Sequence, residues 1–455
     1  MNQKPNILLF MADQFRYDWM GCAGFPISTP NIDRIAEKGI RFTQASCACP
    51  LCTPSRAALA TGKYPHNCGV VVHDAVLPAD EVTYYQLLRK SGYRVAAVGK
   101  TDLHKAYHYY GKNGDLPFMY HLGFTDLCET EGKMNAAWPA ICDGKPVPAG
   151  PYQHMLVEKG EMEQLTADYL DRLRNRRAFY AAPSVLPEED FHDRFVGEKA
   201  CEMLQSLPKE DPWHLFVSFV GPHDPWDPPK SYYDRFANAQ FPGTIGDNLE
   251  GKPEWIKKQA AKNCGGMTEQ ELLEMKRHYA GSIAVIDDQI GQILDTLAAR
   301  GEMENTIIVF TADHGEMLGD HGLIQKKVMY EGALRVPMII SAPWMKGPAV
   351  SPALAELIDL APTFLELAGA DYNRQDMDAR SLLPLLRGET DKHKPFQYSE
   401  LLNCQMLYDG RYKWIRSWND TDELYDLQED PQELHNRIKD LPEVVARLQK
   451  ETFRQ

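Results

Sequence analysis

The sequence is short of positive charge: 49 lysines and arginines stand against 64 aspartates and glutamates, a formal net charge of −15. That balance argues against a surface made for nucleic acid or an anionic membrane, both of which are held by clustered cations. It leaves room for an anionic small ligand, because the field inside a cleft can oppose the sign of the whole. Long apolar runs are missing too, and none approaches the ~20 residues of a membrane-spanning helix. No internal repeat or low-complexity segment is found. Met1-Asn2-Gln3-Lys4-Pro5 shows no signal-type apolar core. The ten cysteines include the close set Cys47, Cys49 and Cys52. No second Cys/His group at zinc spacing accompanies them, so a structural zinc cluster is not expected. Free thiols in a reducing cytoplasm are the expectation; a chain trimmed of a leader would read the same.

What is present is an ordinary globular composition over 455 residues, enough to bury a large core. One stretch organises it, Pro50-Leu51-Cys52-Thr53-Pro54-Ser55-Arg56 through Gly62. Pro54 suits the first turn of a helix, Ala57, Ala58, Leu59 and Ala60 propagate it, and Gly62 stops it. Cys52 therefore sits at a helix N-terminus, where free N–H groups and the dipole favour an anion. Arg56 adds a permanent positive charge one turn further in. A thiol placed there is a nucleophile of depressed pKa.

Four continuous apolar runs, each of strand length, are followed by polar residues. Asn6 to Met11 leads to Asp13-Gln14, Tyr93 to Val98 to Gly99-Lys100, Trp213 to Val220 to Gly221-Pro222-His223, and Thr306 to Thr311 to Asp313-His314. Apolar runs without alternation suit strands covered on both faces, as in a parallel sheet. Open α/β sheets bind ligands beyond the carboxyl ends of their strands. Asp13, Asp313 and His314 are metal-type ligands in that position. Taken singly, Asp13 also has a reading as a helix or turn cap, and Lys100 one as a solvated surface cation.

The Cys52 stretch, Cys-x-Pro-Ser-Arg-x-x-x-x-x-Thr-Gly, resembles the signature of the type I sulfatases. Two more segments share the resemblance: Gly92-Tyr93 with Gly99-Lys100, and Asp313-His314-Gly315-Glu316 through Lys326. The resemblance implies a large, mostly parallel α/β sheet with helices on both faces, of the alkaline phosphatase-like kind. It implies a catalytic domain over 1–370 and a small C-terminal antiparallel subdomain over 371–455. It also implies that a maturation enzyme oxidises Cys52 to formylglycine, whose hydrated aldehyde is the nucleophile. One divalent cation would lie among Asp13, Gln14, the side chain at 52, Asp313 and His314. Arg56 would orient the nucleophile. Lys100, His223 and Lys326 would bind the transferring group, and His223 or Lys326 would protonate the leaving oxygen.

The chain also departs from the family pattern. Asp102 occupies the usual place of a histidine, and His104, a substrate-binding candidate, comes two residues late. Gln14 replaces a carboxylate and His314 an amide of the calcium-type enzymes. Of calcium, manganese and zinc, the set fits manganese or zinc (or ferrous iron) better than calcium. The Asp-Gln and Asp-His pairs are similar to those of phosphonate monoester and phosphodiester hydrolases and of choline-sulfatase-like enzymes in the same superfamily. The implied substrate is a small-molecule or saccharide sulfate ester, with a phosphonate monoester or phosphodiester as the alternative.

Elsewhere, His66 reads as structural and His321 as a supporting neighbour of the site. Leu165 to Tyr180 is expected to be helical, its Arg172, Arg174, Arg176 and Arg177 forming a solvated face or a lid for an anion. Residues 227–266 read as a surface excursion with little regular structure. Glu269 to Ala299 reads as a long helix with a break near Gly281, and Leu354 to Ala368 as helical. Short aromatic strands after Phe396, with Asp409-Gly410 as a hairpin turn, suggest an antiparallel sheet.

Overall fold

The first apolar run becomes β1 (Asn6–Asp13), buried at every position. In the computed structural model, which describes residues 4–137, 147–174 and 181–452, β1 is central to an eight-stranded sheet. The other strands of that sheet are β2 (Gly39–Phe42), β4 (Arg94–Gly99), β5 (Asp126–Glu129), β6 (Trp213–Pro222), β7 (Thr306–Ala312), β8 (Met338–Ser341) and β9 (Ala349–Ser351). A short β3 (Ala45–Ser46) pairs in parallel with β10 (Ala355–Glu356) outside it.

The spatial order is β5-β4-β6-β1-β7-β8-β2-β9. From β5 to β7 all pairings are parallel. β8 runs antiparallel to both β7 and β2. The four strands that carry apolar runs thus lie side by side as β4-β6-β1-β7, and their carboxyl ends face one way. The β6 pairing slips at the last step, with Ala12 opposite Phe219 but Asp13 opposite Pro222. Gly99 sits where β4 meets β6: a Cβ there would lie 1.9 Å from the Ser218 carbonyl oxygen, and its φ is +96°. Only glycine fits that approach, and Lys100, whose backbone N–H bonds the same carbonyl, is placed by it.

Helices cover the sheet in two groups. His192–Ser206, Glu269–Arg300 and Pro30–Ala36 pack together on strands of the central sheet. Cys52–Thr61, Tyr84–Lys90 and Leu360–Ala368 form the other group. Each layer seals apolar side chains of the strands, which is why the runs read as continuous rather than alternating. A second sheet, β11 (Gln397–Leu401), β12 (Cys404–Tyr408), β13 (Tyr412–Ser417) and β14 (Glu423–Asp426), is antiparallel throughout, with the Asp409-Gly410 turn between β12 and β13. The helix Pro442–Thr452 follows it.

Several expectations need correction. The Glu269–Arg300 helix is unbroken over 32 residues, opened by a Thr268/Glu271 capping box. Gly281 is there because a Cβ would meet Pro228 at 2.8 Å; it answers to packing. The 227–266 segment contains two helices, Lys230–Asp234 and Glu254–Asn263. Leu354 to Asp359 is not α-helical: it holds β10 and a 3₁₀ turn, and the α-helix starts at Leu360. Arg172 is neither a solvated face nor a lid: it is buried, bonding Asp168 at 2.7 Å and the carbonyl oxygens of Ala182 and Pro183. Arg174 is the last described residue of its helix; Arg176 and Arg177 lie outside the described residues.

Candidate active site

The Cys52–Thr61 helix begins at the cysteine itself, after an extended Leu51, and every residue in it is buried. Its N-terminus meets the ends of β1 and β7. Cys52 Sγ lies 3.1 Å from His314 Nε2 and 3.7 Å from Asp13 Oδ1. Ser55, one turn on, donates to the Asp313 carbonyl oxygen at 2.6 Å and ties the helix to the β7 exit.

Arg56 fixes both carboxylates from behind. Its Nε donates to Asp313 Oδ2 at 2.8 Å, and Nη2 lies 3.6 Å from Asp13 Oδ2. Its Nη1 donates to Ser218 Oγ at 2.7 Å and to the Lys100 carbonyl oxygen. One guanidinium thereby joins β1, β4, β6 and β7 through its fixed fork of donors. Asp313 Oδ1 is set by the backbone N–H groups of Gln14 and His314, at 3.1 and 2.9 Å. His314 Nδ1 lies 3.0 Å from the Gly315 carbonyl oxygen. That contact keeps a proton on Nδ1 and turns Nε2 towards Cys52.

The electrostatics follow from burial among charges of both signs. Burial works against the Asp13 carboxylate, yet Lys100, His223, Arg56 and Lys326 hold it well below its ordinary pKa. Burial and Asp13 oppose a Cys52 thiolate, and Lys100, Lys326 and His314 outweigh them, so that thiol is lowered. Cys47 and Cys49 differ: burial pushes both well up. Of these three, Cys52 alone has its sulfur prepared as an anion. Lys100 pairs with Asp13 and lies 3.3 Å from Asp102. Lys326 donates to Gln14 Oε1, and its Nζ is 2.6 Å from His223 Nε2. Burial and Lys326 bring His223 down to about 4, so its ring is neutral near pH 7. Gln14 Nε2 bonds Glu316 at 2.5 Å and Asp224 at 3.2 Å.

Ligand atoms of Asp13, Cys52, Asp313 and His314 lie within 4.8 Å of one another, all buried. Two carboxylates, an imidazole lone pair and a sulfur converging on one point form a donor set that fits a divalent cation. Gln14 stands beside them at the β1 exit.

Of the residues singled out from the sequence, Asp13, Gln14, Cys52, Arg56, Lys100, His223, Asp313, His314 and Lys326 are joined in this one network. His104 is not in it; it is buried against Glu129, with Nε2 at 2.7 Å from the carboxylate, which also takes the Thr101 hydroxyl. His321 bonds Asp247 at 2.7 Å and packs on Tyr330. His66 bonds Glu400 at 2.7 Å at the surface. Sequence reasoning missed Ser218, Asp224 and Glu316. Ser218 had a signal, a hydroxyl inside an apolar strand run; Asp224 and Glu316 stand among other polar residues and had none.

The chain is similar to known proteins along nearly its whole length. The family model described as sulfatase matches residues 5–370, and one described as the C-terminal part of N-sulphoglucosamine sulphohydrolase matches residues 319–455. An arylsulfatase of Clostridium perfringens is 31% identical over 449 residues, covering 96% of this chain and 90% of that protein. An N-acetylglucosamine-6-O-sulfatase of Bacteroides thetaiotaomicron is 27% identical, covering 95% and 82%. Among solved structures, an enzyme in complex with D-glucosamine-2-N,6-O-disulfate superposes with TM-score 0.79 at 23% identity, covering 98% of this chain and 96% of that one. A phosphonate monoester hydrolase of Agrobacterium radiobacter gives the same TM-score and identity, covering 98% and 94%, so these two likenesses speak for the fold alone. The family match over most of the chain and the arylsulfatase likeness decide the matter: this chain belongs to the sulfatase family of sulfuric ester hydrolases, within the alkaline phosphatase-like superfamily.

Proposed function

We propose that this enzyme hydrolyses a sulfate monoester through a formylglycine derived from Cys52, with a divalent cation in the site and a saccharide or other small alcohol as the leaving half. The observation that carries the reading is the buried convergence of Asp13, Asp313 and His314 on Cys52. The sulfated sugars named for the Bacteroides relative and for the sugar-bound structure support the saccharide side.

When present, the cation would lie among Asp13, Asp313 and His314 with Gln14 beside them, and would supply Lewis acidity to a nucleophile that oxidation of Cys52 provides. The other groups bind, orient and move protons. Arg56 locks one oxygen of Asp313 and flanks one of Asp13, leaving their partners turned inward. Lys100 and Lys326, buried and charged, stand where a sulfate group against Cys52 would place its oxygens, and they offset the negative charge that grows in transfer. Lys326 gives a proton to the departing ester oxygen. His223, neutral and hydrogen-bonded to Lys326, returns one from the solvent side, its ring being partly exposed.

The test is direct. Produced together with a formylglycine-generating enzyme, the protein should carry the aldehyde at residue 52 by peptide mass and cleave 4-nitrophenyl sulfate. A thiol at 52 in fully active enzyme would overturn the formylglycine reading. Because the Asp-Gln and Asp-His pairs also suit phosphonate chemistry, a matched aryl phosphonate monoester belongs in the same assay; a much larger kcat/KM for the phosphonate would replace the sulfate assignment.

A further inference from the structure

His73 lies outside every motif discussed so far. It follows the nucleophile helix, in a loop laid along the segment after β4. Leu77 N–H bonds the Leu103 carbonyl oxygen at 2.8 Å, Ala106 N–H bonds that of Ala75, and Val76 bridges to His104. That segment carries Lys100, Asp102 and Lys105. The Nδ1 atom of His73 is buried with no hydrogen-bond partner among the described residues. A buried polar atom left without a partner is costly.

The loop pairing lays the stretch that His73 leads into against Leu103, His104 and Ala106, just beyond Lys100 and Asp102. The charges that act on the His73 ring are those of Lys105, Asp102, Lys100 and Lys326, and Lys100 and Lys326 are the sulfate-binding candidates. Burial, helped by Lys105, pushes the ring down to about 2. His73 is therefore uncharged at any working pH and adds no cation to the sulfate subsite. It offers a neutral hydrogen bond, the kind that matches a hydroxyl better than a sulfate oxygen. Asp102 meanwhile is fully occupied by cations, 3.0 Å from Lys105 and 3.3 Å from Lys100.

We infer that His73 is a further substrate-contacting residue, its Nδ1 making a hydrogen bond to a hydroxyl or ring oxygen in the alcohol half of a polyhydroxylated sulfate ester. This deepens the sulfatase reading above and rests on it. No bond is made or broken at His73; its part is to recognise the leaving alcohol and hold it in line.

The test compares His73→Ala and His73→Gln with the parent enzyme, all carrying formylglycine by peptide mass. The probes are 4-nitrophenyl sulfate, which has no hydroxyl on its leaving half, and a panel of glucose 6-sulfate, galactose 6-sulfate and N-acetylglucosamine 6-sulfate. Expected is a fall of about tenfold or more in kcat/KM for the best saccharide in His73→Ala, borne mainly by KM, with partial recovery in His73→Gln. For 4-nitrophenyl sulfate the change should stay within about threefold, and thermal unfolding should be unaltered. Equal losses on the two probe classes, or no loss on either, overturn the inference and leave the sulfatase reading standing. Cleavage of the aryl ester with no saccharide cleaved does the same. Cleavage of neither class by formylglycine-bearing parent enzyme sinks the sulfatase reading itself, and the inference with it.

Discussion

Two buried groups of charges stand at opposite ends of the chain's logic. At the strand exits, Asp13, Asp313, Cys52 and His314 turn lone pairs towards one another, while Arg56, Lys100 and Lys326 hold them from outside. Beneath the C-terminal sheet, Lys413 sits 2.8 Å from Glu331 and 2.5 Å from Glu433, and Lys252 donates to the Tyr425 hydroxyl and the Glu433 carbonyl, each at 2.8 Å. Lys252 also lies over the rings of Tyr330 and Tyr425. The second group closes on itself, each ammonium spent on carboxylates, hydroxyls and rings. The first is arranged for something further to enter. Burial of charge is common to both; what separates a site from a strut is whether the donors face each other's partners or each other.

If that distinction holds, removing groups from the two clusters must act on different observables. The largest effect is expected at Cys52. Cys52→Ala removes the nucleophile and should lower turnover of 4-nitrophenyl sulfate by at least about 10⁴-fold, while the melting temperature stays level or rises, because a sulfur facing Asp13 is lost. Next is Asp313→Asn, which leaves Arg56 with a weaker partner and the ligand set one charge short. A loss of two to three orders of magnitude is expected, on the order of 3–4 kcal/mol in transition-state stabilisation. A divalent metal that raises the parent's melting temperature by binding the folded state should do so far less in the variant. In the C-terminal cluster the signs reverse. Lys413→Met leaves Glu433 buried without its cation and Glu331 held by Arg335 alone, and a loss of about 3 kcal/mol in unfolding free energy is expected by chemical denaturation. Turnover per folded molecule should be unchanged; a comparable fall in kcat would mean that the C-terminal sheet shapes the site and that the distinction is wrong.

The same contrast explains what could be read without coordinates. The four strand runs were legible because strands covered on both faces hold few polar residues, so the polar cluster that closes each run marks an exit. Asp13, Lys100, His223 and Asp313 all stand at such points. Arg56 was legible from its helix spacing. The C-terminal cluster was not: Lys413 lies inside the aromatic strand β13, Glu331 opens a four-residue helix, and Glu433 follows the last strand. Nothing local marks them as partners, because the contact exists only after two sheets dock. Arg172 misled for the same reason. Four arginines in one stretch look like a solvated face, yet Arg172 turns inward to carbonyls that lie 10 and 11 residues on. Gly281 misled in another way: a helix tolerates a glycine when a neighbouring loop needs the space.

A smaller effect sharpens the comparison within the β6 exit itself. Asp193 accepts from the backbone N–H groups of Val220 and Gly221 at 2.8 and 3.0 Å, close behind the site, but no ion pair reaches its carboxylate among the described residues. Burial raises it to about 6, against an ordinary 3.8, with Lys133 and the two N–H groups only partly opposing. Asp13, buried to the same degree and ringed by cations, moves the other way. An acid raised in the folded state binds its proton more tightly there than in the unfolded chain. Its contribution to stability is therefore full below about pH 4 and is lost as pH rises through 6. Between pH 5 and 7 that loss amounts to about 1 kcal/mol. Asp193→Asn keeps an oxygen for the two N–H groups and removes the titration. Urea unfolding of the parent should weaken by about that amount relative to the variant over this range, and parallel curves would mean that a cation already neutralises Asp193 as Lys100 does Asp13.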